Sequence, residues 1–394
     1  MDNENNSNKQ FRLYSAEGNY TRLSVDEVIS RELNQWKDWK CSAGVRGLYI
    51  DYDGNIWNCN SASSKLDRFN RTEYQKVQFL KLNGDTKPDT SKIFQLRLDN
   101  SEENKTKHWG FLGNVSDGYT LPTEWVECPY KSCGCGADVV LSKAQTDEDK
   151  KKLSVTNHGW EGKRLSTHLY TEDAVDNPVA VETNFPVPYQ ILWDLGRFCN
   201  YDCNYCWSSV HNRTEAHKDY DELIRVSDDI ISNWSHGETI RWNFGGGEPT
   251  LHPKFLDWME YLKSRNQWTL VTTNGSRDTK YWKKLVPFLN SINMSAHFSQ
   301  IDEDRFIRNI EVICEHFDEH DDDHWLEIKL MAPPEYFDRA LALRDRIRAL
   351  NVLDKPGANN RIKGTLSLVP IRSLGDSGVL VEYTPEQLQI LSNQ

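Results

Sequence analysis

Residues 199–207 read CNYDCNYCW, three cysteines spaced C-x3-C-x2-C. Three thiolates from one short loop can hold three irons of a cubane iron–sulfur cluster. The fourth iron then keeps an open position for a substrate or cofactor, as open catalytic metal sites do generally. Cys199, Cys203 and Cys206 are therefore candidate metal ligands. Two other readings compete: buried thiols, or a zinc site, which would want a fourth Cys or His and could take His211.

The chain holds nine cysteines; Cys41, Cys59, Cys128, Cys133 and Cys135 lie in its N-terminal half, and Cys314 stands alone. In a reducing compartment, clustered cysteines are more often metal ligands or redox groups than disulfides, and an odd count fits full pairing poorly. Cys314 sits in the helix-like IEVICEHF and is read as a core thiol.

These residues need a frame. The 394-residue length fits two or three domains. Without an apolar run near 18 residues no transmembrane helix is expected, and the polar MDNENNSNKQ carries no signal-peptide core. The expected compartment is the cytoplasm. A net charge of −12 argues against a broad nucleic-acid footprint.

Residues 1–23 read as disordered or loosely packed. SVDEVISRELNQWKDWK has helical periodicity with Ser24 as N-cap, and GLYIDYDGNIWNC reads as a hairpin turning at Asp53-Gly54. The domain expected over 24–142 is α+β and metal-binding, with a linker over 143–187. Strand-like runs follow at 189–195, 239–244, 268–274, 292–298, 325–331 and 364–370. Helix-like runs alternate with them at 216–234, 253–265, 278–289, 303–317 and 336–350. This predicts a parallel α/β sheet over 188–372, an open or partial barrel. Residues 373–394 read as a closing segment with a helix after Thr384. In such folds ligands gather at the C-terminal strand ends, where the cysteine triplet falls.

After the second predicted strand comes FGGGEPTLHP, neither a P-loop nor a dinucleotide fingerprint. Gly245, Gly246 and Gly247 would let backbone approach a ligand closely, or simply serve a tight packed turn.

The triplet, with Tyr205 just before its last cysteine, and Gly246-Gly247-Glu248-Pro249 one βα unit later resemble the radical S-adenosylmethionine (SAM) enzymes. The resemblance covers roughly 188–372 and implies a partial (β/α)6 TIM-like barrel. It also implies a [4Fe-4S] cluster on three cysteines, with SAM chelated at the open iron. Reductive cleavage of SAM would give a 5′-deoxyadenosyl radical that abstracts hydrogen from a substrate. The protein's part is to bind, orient and exclude water. By the same resemblance Gly245, Gly246, Gly247, Glu248, Pro249, Thr273, Asn274, Ser295 and His297 line the SAM pocket. Each polar strand end could equally be turn chemistry. Lys329, Met331 and Val369 are candidates for methionine or adenine contact, with core packing favoured.

The stretch from Cys41 to Cys59, with GFLGNVSDG and CPYKSCGCG, resembles the SPASM or twitch auxiliary-cluster modules, here preceding the barrel. This implies a second [4Fe-4S] cluster held by Cys41, Cys59 and Cys128 and by Cys133 or Cys135. A structural zinc site with four thiolate ligands is the alternative. A peptide is the leading substrate, a small metabolite or RNA the others, and a flavodoxin or ferredoxin the electron donor. A non-catalytic iron–sulfur carrier or zinc-organised binding protein is the alternative of another class. HFDEHDDDH (316–324) joins a helix to a strand, on the barrel face away from the chemistry, and reads as a solvated loop.

Overall fold

The computed structural model describes residues 40–63, 110–128, 189–206, 211–319, 324–353, 364–371 and 381–392, with short strands elsewhere. The expected helix after Ser24 and both Cys133 and Cys135 lie outside the described residues, as does most of 143–187. The chain divides into two compact units. One holds 8–192 and 232–240, the other 193–231 and 241–394 together with the first seven residues.

The first of these contains β1 (Gln10–Tyr14), β2 (Tyr20–Ser24), β3 (Lys40–Cys41), β4 (Gly47–Ile50) and β5 (Asn55–Trp57), then α1 (Asn60–Ser63). After these come β6 (Phe111–Asn114), β7 (Gly118–Tyr119), β8 (Val126–Glu127), β9 (Lys143–Ala144) and β10 (His168–Tyr170). β1 pairs antiparallel with β2 and parallel with β10. Strands thus stand inside stretches read from sequence as disordered and as linker; the polar first residues and the charged 143–165 run mask short apolar–polar alternations such as FRLY.

The hairpin at Asp53-Gly54 forms, with Tyr49 opposite Trp57 and Ile50 opposite Ile56. Its turn needs Gly54, whose φ is +82°. Buried Asp51 accepts from the main chain of Asp53 and Asn55 and from Asn55 Nδ2 and Trp57 Nε1. That carboxylate takes the place of missing ladder partners and locks the register. Trp234 Nε1 donates to Gly44 O (2.8 Å), and the Arg46 guanidinium lies 4.1 Å over the Tyr189 ring.

The second unit carries the α/β part. β11 (Tyr189–Asp194) contributes its last two residues here. α2 (Tyr220–Asp229), β12 (Ile240–Gly245), α3 (Phe255–Ser264), β13 (Trp268–Thr273), α4 (Thr279–Leu285) and β14 (Ser291–His297) follow. Then come α5 (Glu303–Glu319), β15 (Trp325–Met331), α6 (Phe337–Leu350), β16 (Gly364–Val369), β17 (Ser373–Leu374), β18 (Val379–Leu380) and α7 (Pro385–Ser392). β12 through β16 pair in chain order and all in parallel. The result is a mixed α/β architecture with a parallel sheet, as a radical SAM partial barrel requires.

Hydrophobic periodicity explains the layers. On β12, Ile240, Trp242 and Phe244 are fully buried, while Arg241 and Asn243 alternate with them. Phe306, Ile310, Ile313, Cys314 and Phe317 form the buried stripe of α5, so Cys314 is a core thiol. Asp219 and Asp278 cap α2 and α4, and Thr384 with Gln387 closes a reciprocal capping pair on α7.

Candidate metal and cofactor site

The cysteine loop leaves the end of β11 and is braced on two sides. On one side Leu195 N donates to Gly245 O, Gly247 N to Gly196 O and Glu248 N to Phe198 O, at 2.8–3.1 Å. On the other, Cys199 N donates to Asn212 O (2.8 Å), and Arg197 Nη1 pairs with Glu215 Oε2 (3.2 Å).

The Gly-rich run is what this close approach demands. A Cβ on Gly247 would stand 2.3 Å from Phe198 O. One on Gly246, whose φ is +113°, would stand 2.6 Å from Gly196 O. Gly246 and Gly247 thus pack backbone against backbone at the root of the cysteine loop.

Glu248 is buried and its carboxylate faces inward. Oε1 accepts from Thr250 N (3.1 Å), Thr250 Oγ1 (2.6 Å) and Thr273 Oγ1 (2.8 Å). Oε2 accepts from Asn274 N (2.6 Å). Burial pushes the Glu248 carboxyl above the usual carboxylate pKa, against the opposing pull of these donors. Glu248 therefore ties the end of β12 to the end of β13. Pro249 opens a short 3-10 turn behind it. His252 Nδ1 accepts from Lys254 N, so its Nε2 carries the proton donated to Lys218 O (2.8 Å).

Asn274 faces the cysteines: Nδ2 donates to Asn200 Oδ1 (2.9 Å) and lies 3.9 Å from Cys199 Sγ. Tyr201 N donates to the same sulfur at 3.4 Å. Cys199, Tyr201 and Cys203 form one buried cluster against which Tyr205 and Cys206 pack. Tyr205 hydroxyl and His297 Nδ1 are 2.8 Å apart with the rings stacked, and Tyr201 meets His297 edge-on. Burial drives His297 down to about 4, so its ring is neutral.

Ser295 lies opposite Lys329 and His297 opposite Met331, two cross-strand pairs on neighbouring strand ends. Val369 lies opposite Met331 on β16. Lys329 Nζ is 3.2 Å from Glu327 Oε2.

The donor set fits an iron–sulfur cubane. Burial, before any other cause, lifts Cys199 to about 11 and Cys206 to about 12, and it raises Cys203 as well. Thiols so placed ionise together only against a compensating cation. Among the described residues no three His, Cys, Asp or Glu side chains converge as ligands of one ion. A cubane asks for no such convergence, because each thiolate takes its own iron. His211, the candidate zinc ligand, sits with its Nε2 3.6 Å from Asp202 Oδ1.

In the other unit the Cys41, Cys59 and Cys128 side chains are buried. Cys41 pairs with Val126 across β3 and β8, so Cys128, two residues on, returns to the same side of the ladder. Cys59 follows Asn58, whose O accepts from Gly44 N and whose N donates to Gly110 O.

Sequence reasoning missed Asn200, Asn212, Glu215 and Asn309. Asn212 carried a weak signal: its Oδ1 accepts from Thr214 N and Glu215 N, a side-chain turn that N-x-x-E permits. Asn309 carried none, since it falls inside an amphipathic helix. Among the described residues no helix is long and apolar enough to cross a membrane.

Among curated proteins, the mycofactocin maturase MftC of Mycobacterium tuberculosis is 33% identical over 99 residues, covering 25% of this chain and 24% of the maturase. The tungsten-containing aldehyde ferredoxin oxidoreductase cofactor-modifying protein of Pyrococcus furiosus is 34% identical over 79 residues, 20% of this chain and 21% of that protein. The chain thus matches under a quarter of either relative's length. Among solved structures, Streptococcus suis SuiB bound to precursor peptide SuiA aligns with 52% of this chain and 44% of its own, at 16% identity and a TM-score of 0.37. Residues 193–328 match the radical SAM superfamily model, and the chain therefore carries a radical SAM domain, which implies a [4Fe-4S] cluster and SAM.

Proposed function

We propose that this protein is a radical SAM enzyme in which Cys199, Cys203 and Cys206 hold a [4Fe-4S] cluster. The observation that carries this is the three-thiol loop at the end of β11, with Cys199 and Cys203 buried and Cys206 packed against them, braced by Gly246-Gly247 and faced by Asn274. When bound, the cluster and SAM supply reductive cleavage to a 5′-deoxyadenosyl radical that takes hydrogen from the substrate. The chain's own residues do the rest. The loop roots fix the sulfurs, and Glu248 holds the strand ends in register. Neutral His297 and Tyr205 wall the site, and Ser295, Lys329 and Met331 line its β14–β15 side.

A second [4Fe-4S] cluster is proposed on Cys41, Cys59 and Cys128, with Cys133 or Cys135 as fourth ligand. The substrate is proposed to be a peptide, as in the auxiliary-cluster enzymes the sequence resembles. The relative from Pyrococcus, named as cofactor-modifying, favours a small metabolite as the second reading. A flavodoxin or ferredoxin in the cytoplasm is the proposed electron source.

The test is anaerobic reconstitution followed by dithionite and SAM. About eight irons per chain and release of 5′-deoxyadenosine are expected. A chain loaded with iron that leaves SAM intact contradicts the reading.

A further inference from the structure

We infer that the Asn274 side-chain amide is a redox-tuning group for the three-cysteine cluster, donating N–H to Cys199 Sγ and favouring the reduced state. This rests on the cluster reading above and goes beyond a SAM-binding role for Asn274.

The orientation of the amide is determined by its neighbours. Asn274 Oδ1 accepts from Ser276 N at 2.9 Å, and a backbone N–H can only donate. The Nδ2 end must therefore face Asn200 and Cys199. It has two hydrogens: one goes to Asn200 Oδ1 at 2.9 Å, leaving the other for the sulfur at 3.9 Å.

The amide is also held rigidly. Asn274 N is fixed on Glu248 Oε2, and Gly275 N on Thr273 Oγ1. The following loop hangs on fully buried Asn309, whose Nδ2 donates to Gly275 O (3.1 Å) and Arg277 O (2.8 Å) and whose Oδ1 accepts from Thr279 (2.9 Å). Four chain segments thus determine where one N–H points.

With Tyr201 N, Cys199 Sγ has two amide donors. One-electron reduction adds negative charge that the sulfurs share, so an N–H aimed at a thiolate stabilises the reduced cluster more than the oxidised one. Water exclusion strengthens the effect.

The experiment compares Asn274→Ser with Asn200→Ala in the full chain, reconstituted anaerobically and titrated with mediators while the reduced cluster is followed by electron paramagnetic resonance. The relevant signal is the one absent from the Cys199/Cys203/Cys206→Ala triple variant. Serine at 274 can still accept from Ser276 N but cannot reach the sulfur. Asn200→Ala removes the oxygen that accepts from Asn274 Nδ2 and Ser276 Oγ and leaves the Asn274 amide in place. At the wild-type midpoint, N274S should lower the reduced-to-oxidised ratio by roughly three- to tenfold, and N200A should leave it unchanged. A loaded N274S with the wild-type midpoint, or equal shifts in both variants, overturns the inference and leaves the cluster reading intact. A wild-type chain that takes up no iron overturns both. Should N274S fail to load, wild-type protein carrying 15N in its asparagine side chains decides: a 15N coupling to the reduced cluster supports the inference, and its absence overturns it.

Discussion

The two cysteine groups are built in opposite ways. Cys199, Cys203 and Cys206 come from one loop whose roots are bonded to neighbouring strand ends. Cys41, Cys59 and Cys128, the ligands proposed for a second cluster, come from three separate segments, of which β3 and β8 pair antiparallel. A local site tolerates change elsewhere in its domain, because its spacing travels with the loop. A dispersed site is only as good as the fold that gathers it, and a metal there contributes folding energy directly.

The largest expected effect breaks the local site. Replacing Cys199, Cys203 and Cys206 together with Ala should remove about half of some eight irons and all 5′-deoxyadenosine formation. Iron analysis and chromatography of the nucleoside check it, and surviving cleavage counts against the account.

Breaking the dispersed site should separate structure from chemistry. With the second cluster proposed above, Cys41→Ala should also cost about four irons and lower the unfolding midpoint, as loss of a structural metal does. Cleavage of SAM without substrate should persist. Loss of both clusters together would contradict independent assembly.

Single glycines sharpen the contrast. In Gly247→Ala the new Cβ meets Phe198 O, an overpacking cost of about 1–3 kcal/mol at the root of the cysteine loop. SAM cleavage should fall while iron of the N-terminal group stays. Gly44→Ala, strained at φ +80° and 2.7 Å from Pro122 Cγ, should do the reverse. Iron counts in the background of each cysteine variant tell the two apart.

The smallest effect is electrostatic. Burial lowers His252 from its ordinary 6.5, and its Nδ1 already accepts a backbone N–H. The neutral form is the native one, so this stability is fully present above pH 6.5 and fades as pH falls below it. The slope is at most about 1.4 kcal/mol per pH unit. Urea midpoints measured across that range should flatten in His252→Asn, which keeps an acceptor for Lys254 N.

What was legible in the sequence follows the same division. The βα alternation set every strand of the parallel sheet to within a residue or so, because buried runs such as TIRWNF and WLEIKLM stand between amphipathic helices. The cysteine triplet and GGGEP were visible because their partners are neighbours in the chain. The inward turn of Glu248 was not, since its four donors come from two loops. Nor was the Asn274–Asn200 tie, made by residues far apart in sequence, or Asn309, which looks like any polar residue in a helix. The register that carries Cys128 to the side of Cys41 depends on a two-residue ladder too short for periodicity to reveal.

The most direct test is electron paramagnetic resonance of the dithionite-reduced, fully loaded chain before and after SAM is added. The account predicts that SAM alters one cluster signal, the one missing from the Cys199/Cys203/Cys206→Ala protein, and that 5′-deoxyadenosine appears. Spectra that SAM leaves unchanged, with the cluster present and no nucleoside formed, would contradict it.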